Sequence, residues 1–280
     1  DDPSAYFKVQ LYTGNGSANH AITFDDTDTD MQPDFVWIKN RDTTDAHCLF
    51  DAVRGATKLL HLSDQGESTD ADTLDSFTTD GFQVDADVKV NTDTEDYVAW
   101  CWKANGSGSS NTAGSINTAA TSANTTSGFS IIKYVGTQAN ATLGHGIGIA
   151  PKFIFLKGTD QTEDYTGFHI GSGNGLNVVI HKTVTGYGPD ASYWQDTNPS
   201  ATLITIGAST RLNNSGTTYI AYCFADVQGF SKFSSYEGNG NADGTFVYTG
   251  FRPAWVMIKG IDGTTNWHIY DDQRLGYNID

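Results

Sequence analysis

The chain has 280 residues, enough for two domains of ordinary size or one large one. Its 30 Gly, many Thr, Ser, Asn, Asp and aromatic residues, and only 2 Met, make poor helix and good strand-and-turn material, so an all-β fold is expected. With 16 Lys plus Arg against 33 Asp plus Glu the formal charge is −17, which argues against a nucleic-acid partner, and no apolar run is long enough to insert in a membrane.

Four blocks recur along the chain. The first is an aromatic-led alternating strand running into a Gly turn: Tyr6-Phe-Lys-Val-Gln-Leu-Tyr-Thr-Gly14, Gly128-Phe-Ser-Ile-Ile-Lys-Tyr-Val-Gly136, and Gly229-Phe-Ser-Lys-Phe-Ser-Ser-Tyr-Glu-Gly238. The second is Pro33-Asp-Phe-Val-Trp-Ile-Lys39, Pro151-Lys-Phe-Ile-Phe-Leu-Lys157 and Pro253-Ala-Trp-Val-Met-Ile-Lys259, with Pro, apolar run and Lys at one spacing. The third, His47-Cys-Leu-Phe-Asp51-Ala-Val-Arg54-Gly, is echoed by His268-Ile-Tyr-Asp271-Asp-Gln-Arg274 and more faintly by Phe168-His169-Ile-Gly. The fourth, Tyr97-Val-Ala-Trp100-Cys-Trp102, recurs once as Tyr219-Ile-Ala-Tyr222-Cys-Phe224.

The repeated Lys residues lie roughly a hundred residues apart, the spacing of compact β domains rather than of solenoid rungs. The expected organisation is therefore tandem β-sandwich domains, jelly-roll or lectin-like, with antiparallel sheets, very little helix and a separate core in each. Residues 1–104 form repeat one, 105–127 a Gly-, Ser-, Thr- and Asn-rich linker or loop, 128–226 repeat two, and 227–280 the front half of a third. The runs 35–38 and 97–102 are apolar almost throughout and are expected as central strands covered on both faces. The best helical turn is expected within 52–60. In repeat three the apolar run containing Trp255, Val256 and Ile258 lacks the half that should cover it, so it is an expected assembly interface, completed by further chain or by a neighbouring subunit.

Chemistry is thinly signalled. Cys101 and Cys223 occupy one slot in successive repeats and should be small buried residues in different cores, with Cys48 similar. His47, His169 and His268 recur in the third block without a nucleophile motif, and Asp51 with Arg54, like Asp271 with Arg274, reads as a turn-locking ion pair. Catalytic residues and cofactor sites are not expected. Asp26, Asp28 and Asp30 are a weak calcium candidate, because alternate carboxylates of an extended chain can meet one cation, but the EF-hand pattern is absent. Trp194, outside the repeated blocks, is the candidate platform for stacking a sugar. Sequons at Asn15, Asn105, Asn124, Asn140 and Asn213 mark expected exposed loops and N-glycosylation acceptors.

The blocks at 35–40, 50–55, 76–84 and 97–104 resemble a domain of unknown function found in virion-associated proteins of bacteriophages, especially aquatic ones. The likeness covers nearly all of repeat one, fades through repeat two and returns at 251–276. It implies a repeated β module in a tail fibre or other surface assembly, and brings no site residues. The leading expectation is a non-enzymatic structural or adhesive protein of a phage particle, extracellular, partnered by copies of itself and by host-surface glycans. The alternatives are a subunit of an extracellular filament and a particle-borne polysaccharide-degrading enzyme.

Overall fold

The computed structural model describes residues 2–24, 29–184, 186 and 188–274. In repeat one the strands are β1 (Phe7–Thr13), β2 (His20–Thr23), β3 (Phe35–Asn40), β4 (Cys48–Asp51), β5 (Gly55–His61), β6 (Ser68–Thr69), β7 (Leu74–Thr78), β8 (Gly81–Val84) and β9 (Asp96–Trp102). They pair antiparallel into a six-stranded sheet, in the order β1-β9-β3-β4-β5-β6, and a three-stranded sheet, β2-β8-β7. The apolar runs of β3 and β9 lie in the middle of the large sheet and are buried on both faces, as expected for strands without polar alternation.

Repeat two rebuilds this plan with β10 (Ala120–Asn124), β11 (Phe129–Val135), β12 (Ala141–Gly144), β13 (Pro151–Gly158), β14 (Thr166–His169), β15 (Val178–Val179), β16 (Leu203–Ile206) and β17 (Thr218–Ala225). The large sheet runs β10-β11-β17-β13-β14-β15, and the small one is reduced to β12-β16. Repeat three contributes one hairpin, β18 (Trp255–Lys259) with β19 (Trp267–Asp271). The α-helices are single turns, α1 (Val88–Asn91), α2 (Ala191–Trp194) and α3 (Thr210–Asn213), so the fold is all-β. No helix among the described residues is long and apolar enough to cross a membrane.

Two local expectations are corrected. The helical turn expected in 52–60 is instead a tight turn into β5, where Gly55 takes φ of 105° and the chain reverses to pair with β4. Of the expected linker or loop at 105–127, residues 105–119 are loop, but the segment is packed and not a free tether: β10 forms the edge of the second large sheet, Asn105 N donates to Ser122 Oγ at 2.8 Å, and Ile116, Thr118, Thr121 and Ser122 are buried. Its uncharged hydroxyl and amide side chains bond the backbone instead of solvating it, which composition alone does not distinguish from a flexible tether.

The expectation of one core per repeat also changes. Successive strand residues face opposite sides, so β3 sends Val36 and Ile38 one way and Phe35 and Trp37 the other. Val36, Ile38, Ala99 and Cys101 join Ile22, Phe82 and Val84 of the small sheet in a core private to repeat one. Ile154, Leu156, Ala221 and Cys223 join Leu143, Ile204 and Ile206 in the equivalent core of repeat two. The opposite faces of the two large sheets meet each other. Phe35, Trp37 and Trp100 of repeat one pack with Phe129, Phe155 and Tyr222 of repeat two in one central core, onto which Phe233, Trp255, Met257, Trp267 and Ile269 of repeat three also pack. Phe35 and Tyr222 are the tightest of these cross-repeat aromatic pairs, with ring centroids 4.4 Å apart.

Candidate functional site

The polar groups of the third block sit at the joints between repeats. Asp51 ends β4 fully buried, and its Oδ1 accepts from Val53 N at 3.1 Å and Arg54 N at 2.8 Å, which closes the turn into β5. Its Oδ2 accepts from Arg54 Nε at 2.5 Å and from the hydroxyl of Tyr222, in repeat two, at 2.7 Å. Arg54 also donates to the carbonyls of Leu49 at 3.0 Å and Lys58 at 2.8 Å and to Glu67 at 3.2 Å. Burial works against the Arg54 cation, but Asp51, with Tyr222 and Glu67, outweighs it and holds the guanidinium pKa above its ordinary range. Burial, only partly opposed by Arg54, pushes the Tyr222 phenol well up, so it stays a neutral donor.

Repeat three makes the same turn and uses it on repeat one. Asp271 Oδ1 accepts from Gln273 N at 3.2 Å and Arg274 N at 2.9 Å, and Oδ2 accepts from Arg274 Nε at 2.6 Å. Arg274 donates to the Ile269 carbonyl at 2.8 Å, as Arg54 does to Leu49. The place of the Tyr222 hydroxyl is taken by Trp100 Nε1, 3.0 Å from Asp271 Oδ2, and the Arg274 guanidinium lies 5.1 Å from the centre of the Trp100 ring. Trp100 and Tyr222 hold the same position in the fourth block. His47 stacks beside Trp100, its Nδ1 accepts from Trp37 Nε1 at 2.8 Å, and burial, reinforced by Lys39 and Arg274, lowers its pKa to about 4.

In repeat two the strand register puts His169 where the other repeats have Asp: Phe153 pairs with His169 as Phe35 pairs with Asp51 and Trp255 with Asp271. His169 Nδ1 accepts from Gly171 N at 2.9 Å, keeping half of the turn, and Ser172 stands at the Arg position. The three histidines therefore do not share one slot. His268 pairs with Ile258 as Cys48 does with Ile38, one residue away from the His47 position, and a one-residue offset turns a side chain to the other face.

The repeated Lys marks a second kind of joint. Lys157 donates to the Asp64 carbonyl of repeat one at 3.2 Å and to its own loop at Gln161, 2.9 Å. Burial lowers its pKa to about 8 against the pull of Glu163 and neighbouring acids. Lys259 donates to the Thr183 carbonyl of repeat two at 2.8 Å, with Trp267 Nε1 reaching the Val179 carbonyl at 2.9 Å. Among the described residues Lys39 bonds only within its own repeat, at Asn40 and Thr43. The joints share one direction. Among the described residues both devices are made between repeats one and two, only the Lys between two and three, and only the Asp–Arg turn with its aromatic between three and one. One complete joint and two half-made ones, passed round a common core in the same direction, describe this pattern.

The remaining candidate residues scatter. Trp194 is 1 % exposed and packs edge-on against Phe168 in the private core of repeat two, so it is not an exposed platform; α2 turns the ring inward. Asn213 is fully buried, its side chain bonding Thr137 N, Ala139 O and Gly207 O, so this sequon marks a structural amide and not an exposed loop. Asn15, Asn105 and Asn140 are exposed and Asn124 is half-buried. Asp26 and Asp28 lie outside the described residues; Asp30 is exposed, and no group of three metal-binding side chains forms among the described residues. Cys48, Cys101 and Cys223 are buried free thiols, and burial pushes Cys48 and Cys223 to about 12. Trp255 packs on Phe7 and Trp102 of repeat one, while Val256 and Ile258 are half-buried on the opposite face.

Sequence reading passed over Trp100 and Tyr222. The available signal was a polar-tipped aromatic in the middle of an otherwise apolar strand, where it needs a buried partner.

No curated protein and no solved structure matches the chain. A family model described as a domain of unknown function, DUF7483, matches residues 2–280, and the chain belongs to that family.

Proposed function

We propose that this chain is a non-enzymatic structural component of an extracellular assembly, of the kind implied by its resemblance to phage virion proteins, and that it joins its neighbours through repeat three. The observation that carries this reading is the uneven cover of equivalent strands. Val36 and Ile38, like Ile154 and Leu156, are at most 1 % exposed beneath their small sheets. In repeat three Val256 and Ile258 are only half-buried, Tyr270 is 51 % exposed, and Phe246 and Tyr248 stand at 85 % and 78 %. An apolar surface of this kind favours a protein contact. Support also comes from the buried charges: Asp51, Arg54, Asp271 and Lys157 are committed to joints and turns by the bonds above.

Sedimentation velocity over a dilution series tests this reading, with other copies of the chain as the first neighbours. Association that is lost in a Val256→Glu, Ile258→Glu double variant is the expected result. A chain that stays monomeric at every concentration, or that releases reducing ends from a polysaccharide, would contradict it.

A further inference from the structure

In repeats one and two the fourth-block strand lies between the first-block strand and the second-block strand: β9 between β1 and β3, and β17 between β11 and β13. Repeat three has both neighbours of that position. Residues 229–236 carry the first-block pattern, and β18 is the second-block strand, yet among the described residues β18 pairs only with β19 and 229–236 is not in a strand. Phe233 nevertheless takes its place on the central core, against Phe153 at 6.0 Å and Phe224 at 6.1 Å.

Two details show what is wanting there. A Cβ on Gly14 would come within 2.1 Å of the Thr92 carbonyl, and one on Gly136 within 2.2 Å of the Asn214 carbonyl, because the segment leading into β9 or β17 crosses that turn. Gly238, the same glycine in repeat three, has nothing within 4 Å. Trp255, in the Phe35 position, also buries its Nε1 without a hydrogen-bond partner, an arrangement that usually has an explanation.

We infer that the free edge of β18 receives one extended antiparallel strand of the fourth-block pattern, aromatic-aliphatic-Ala-aromatic-Cys-aromatic, supplied by a neighbouring chain and seated between β18 and residues 229–236. Within the described residues both strands of this pattern are already central in their own sheets, and the assembly reading makes a neighbouring chain the source of a further one. The register follows from the two complete repeats. The last aromatic faces Trp255, as Trp102 faces Phe35 and Phe224 faces Phe153. The middle aromatic faces Met257, as Trp100 faces Trp37 and Tyr222 faces Phe155. By the direction of the joints, that middle aromatic meets the turn of repeat two at His169, which completes the ring. Backbone pairing supplies affinity in such strand addition, and the alternate side chains supply selectivity.

The inference deepens the assembly reading and rests on it only for the origin of the strand. A synthetic peptide with the sequence of residues 218–225, carrying Cys223→Ser against oxidation, is titrated into the full chain by calorimetry and followed by hydrogen exchange. One-to-one binding, slowed exchange at 255–259 and at 229–236, and binding weakened about tenfold or more in a scrambled peptide and in one N-methylated at alternate residues are expected. No saturable binding, equal binding of the scrambled peptide, or protection away from these segments would overturn the inference. A chain that sediments as a monomer yet binds the peptide would overturn the self-association reading alone.

Discussion

The Asp51/Arg54 turn and the Asp271/Arg274 turn make matching bonds within their own repeats, and each takes the polar atom of an aromatic from another. Their surroundings differ: the Arg54 side chain is 1 % exposed and the Arg274 side chain 23 %, while both carboxylates are fully buried. Around Arg54 two complete sheets close, whereas Arg274 lies at the rim of a sheet with two strands. One motif is thus a fully desolvated joint in one place and a partly wetted one in the other. The energetic weight of the motif depends on the layers around it, because an uncompensated charge is costly only where water cannot reach it.

The largest expected effect tests that contrast. Arg54→Met leaves Asp51 buried without its cation and should destabilise the fold by about 3–5 kcal/mol. Arg274→Met leaves Asp271 at the rim, where water can enter in place of the partly exposed guanidinium, and should cost less, about 1–2 kcal/mol. Urea unfolding of both variants measures the difference, and equal losses would break the comparison. Next comes Tyr222→Phe, which removes one donor from Asp51 while keeping the ring; about 1.5–3 kcal/mol is expected for a hydrogen bond to a charged group.

A smaller effect concerns pH at the joint between repeats three and one. The folded-state pKa of His47 is lowered from 6.5 to about 4. Between those values the unfolded chain binds a proton that the folded chain does not, so the contribution of His47 to stability is present above pH 6.5 and is lost as pH falls toward 4. His47→Asn keeps an acceptor for Trp37 Nε1 and should flatten the dependence of the urea midpoint on pH across that window. The smallest expected signal is thiol reactivity. The raised pKa values of Cys48 and Cys223 predict negligible modification by a thiol reagent at pH 8 while the chain is folded, and full modification in denaturant.

Much of this architecture was legible in the residues. The apolar runs of β3 and β9, the Asp/Arg turn and the paired slots of Cys101 and Cys223 follow from local pattern, because strand alternation and turn chemistry are short-range properties. What covers each face was not legible. Phe35 and Val36 are both apolar, and nothing local states that one faces a small sheet of its own repeat and the other a different repeat. The same limit explains Trp194, whose inward turn is set by the packing of α2 against β16, and the edge strand β10, whose Thr and Ser residues have the composition of a tether. The offset between His47 and His268 was obscured because each stands near an Asp, and only the pairing of β4 and β19 with their neighbours fixes the register. At the joints, the Asp and Arg were recognised and their aromatic partners were not, since Tyr222 lies 171 positions from Asp51 in the chain.

A double-mutant cycle measures most directly whether the same joint holds repeat three to repeat one as holds repeat one to repeat two. Trp100→Phe and Asp271→Asn are combined in one cycle, Tyr222→Phe and Asp51→Asn in another, and stability is read by urea unfolding. Coupling energies of about 0.5 kcal/mol or more in both cycles, larger in the second, are the predicted result. Additivity within about 0.3 kcal/mol for Trp100 and Asp271 would show that repeat three is not joined to the body in this way, and would contradict the shared core.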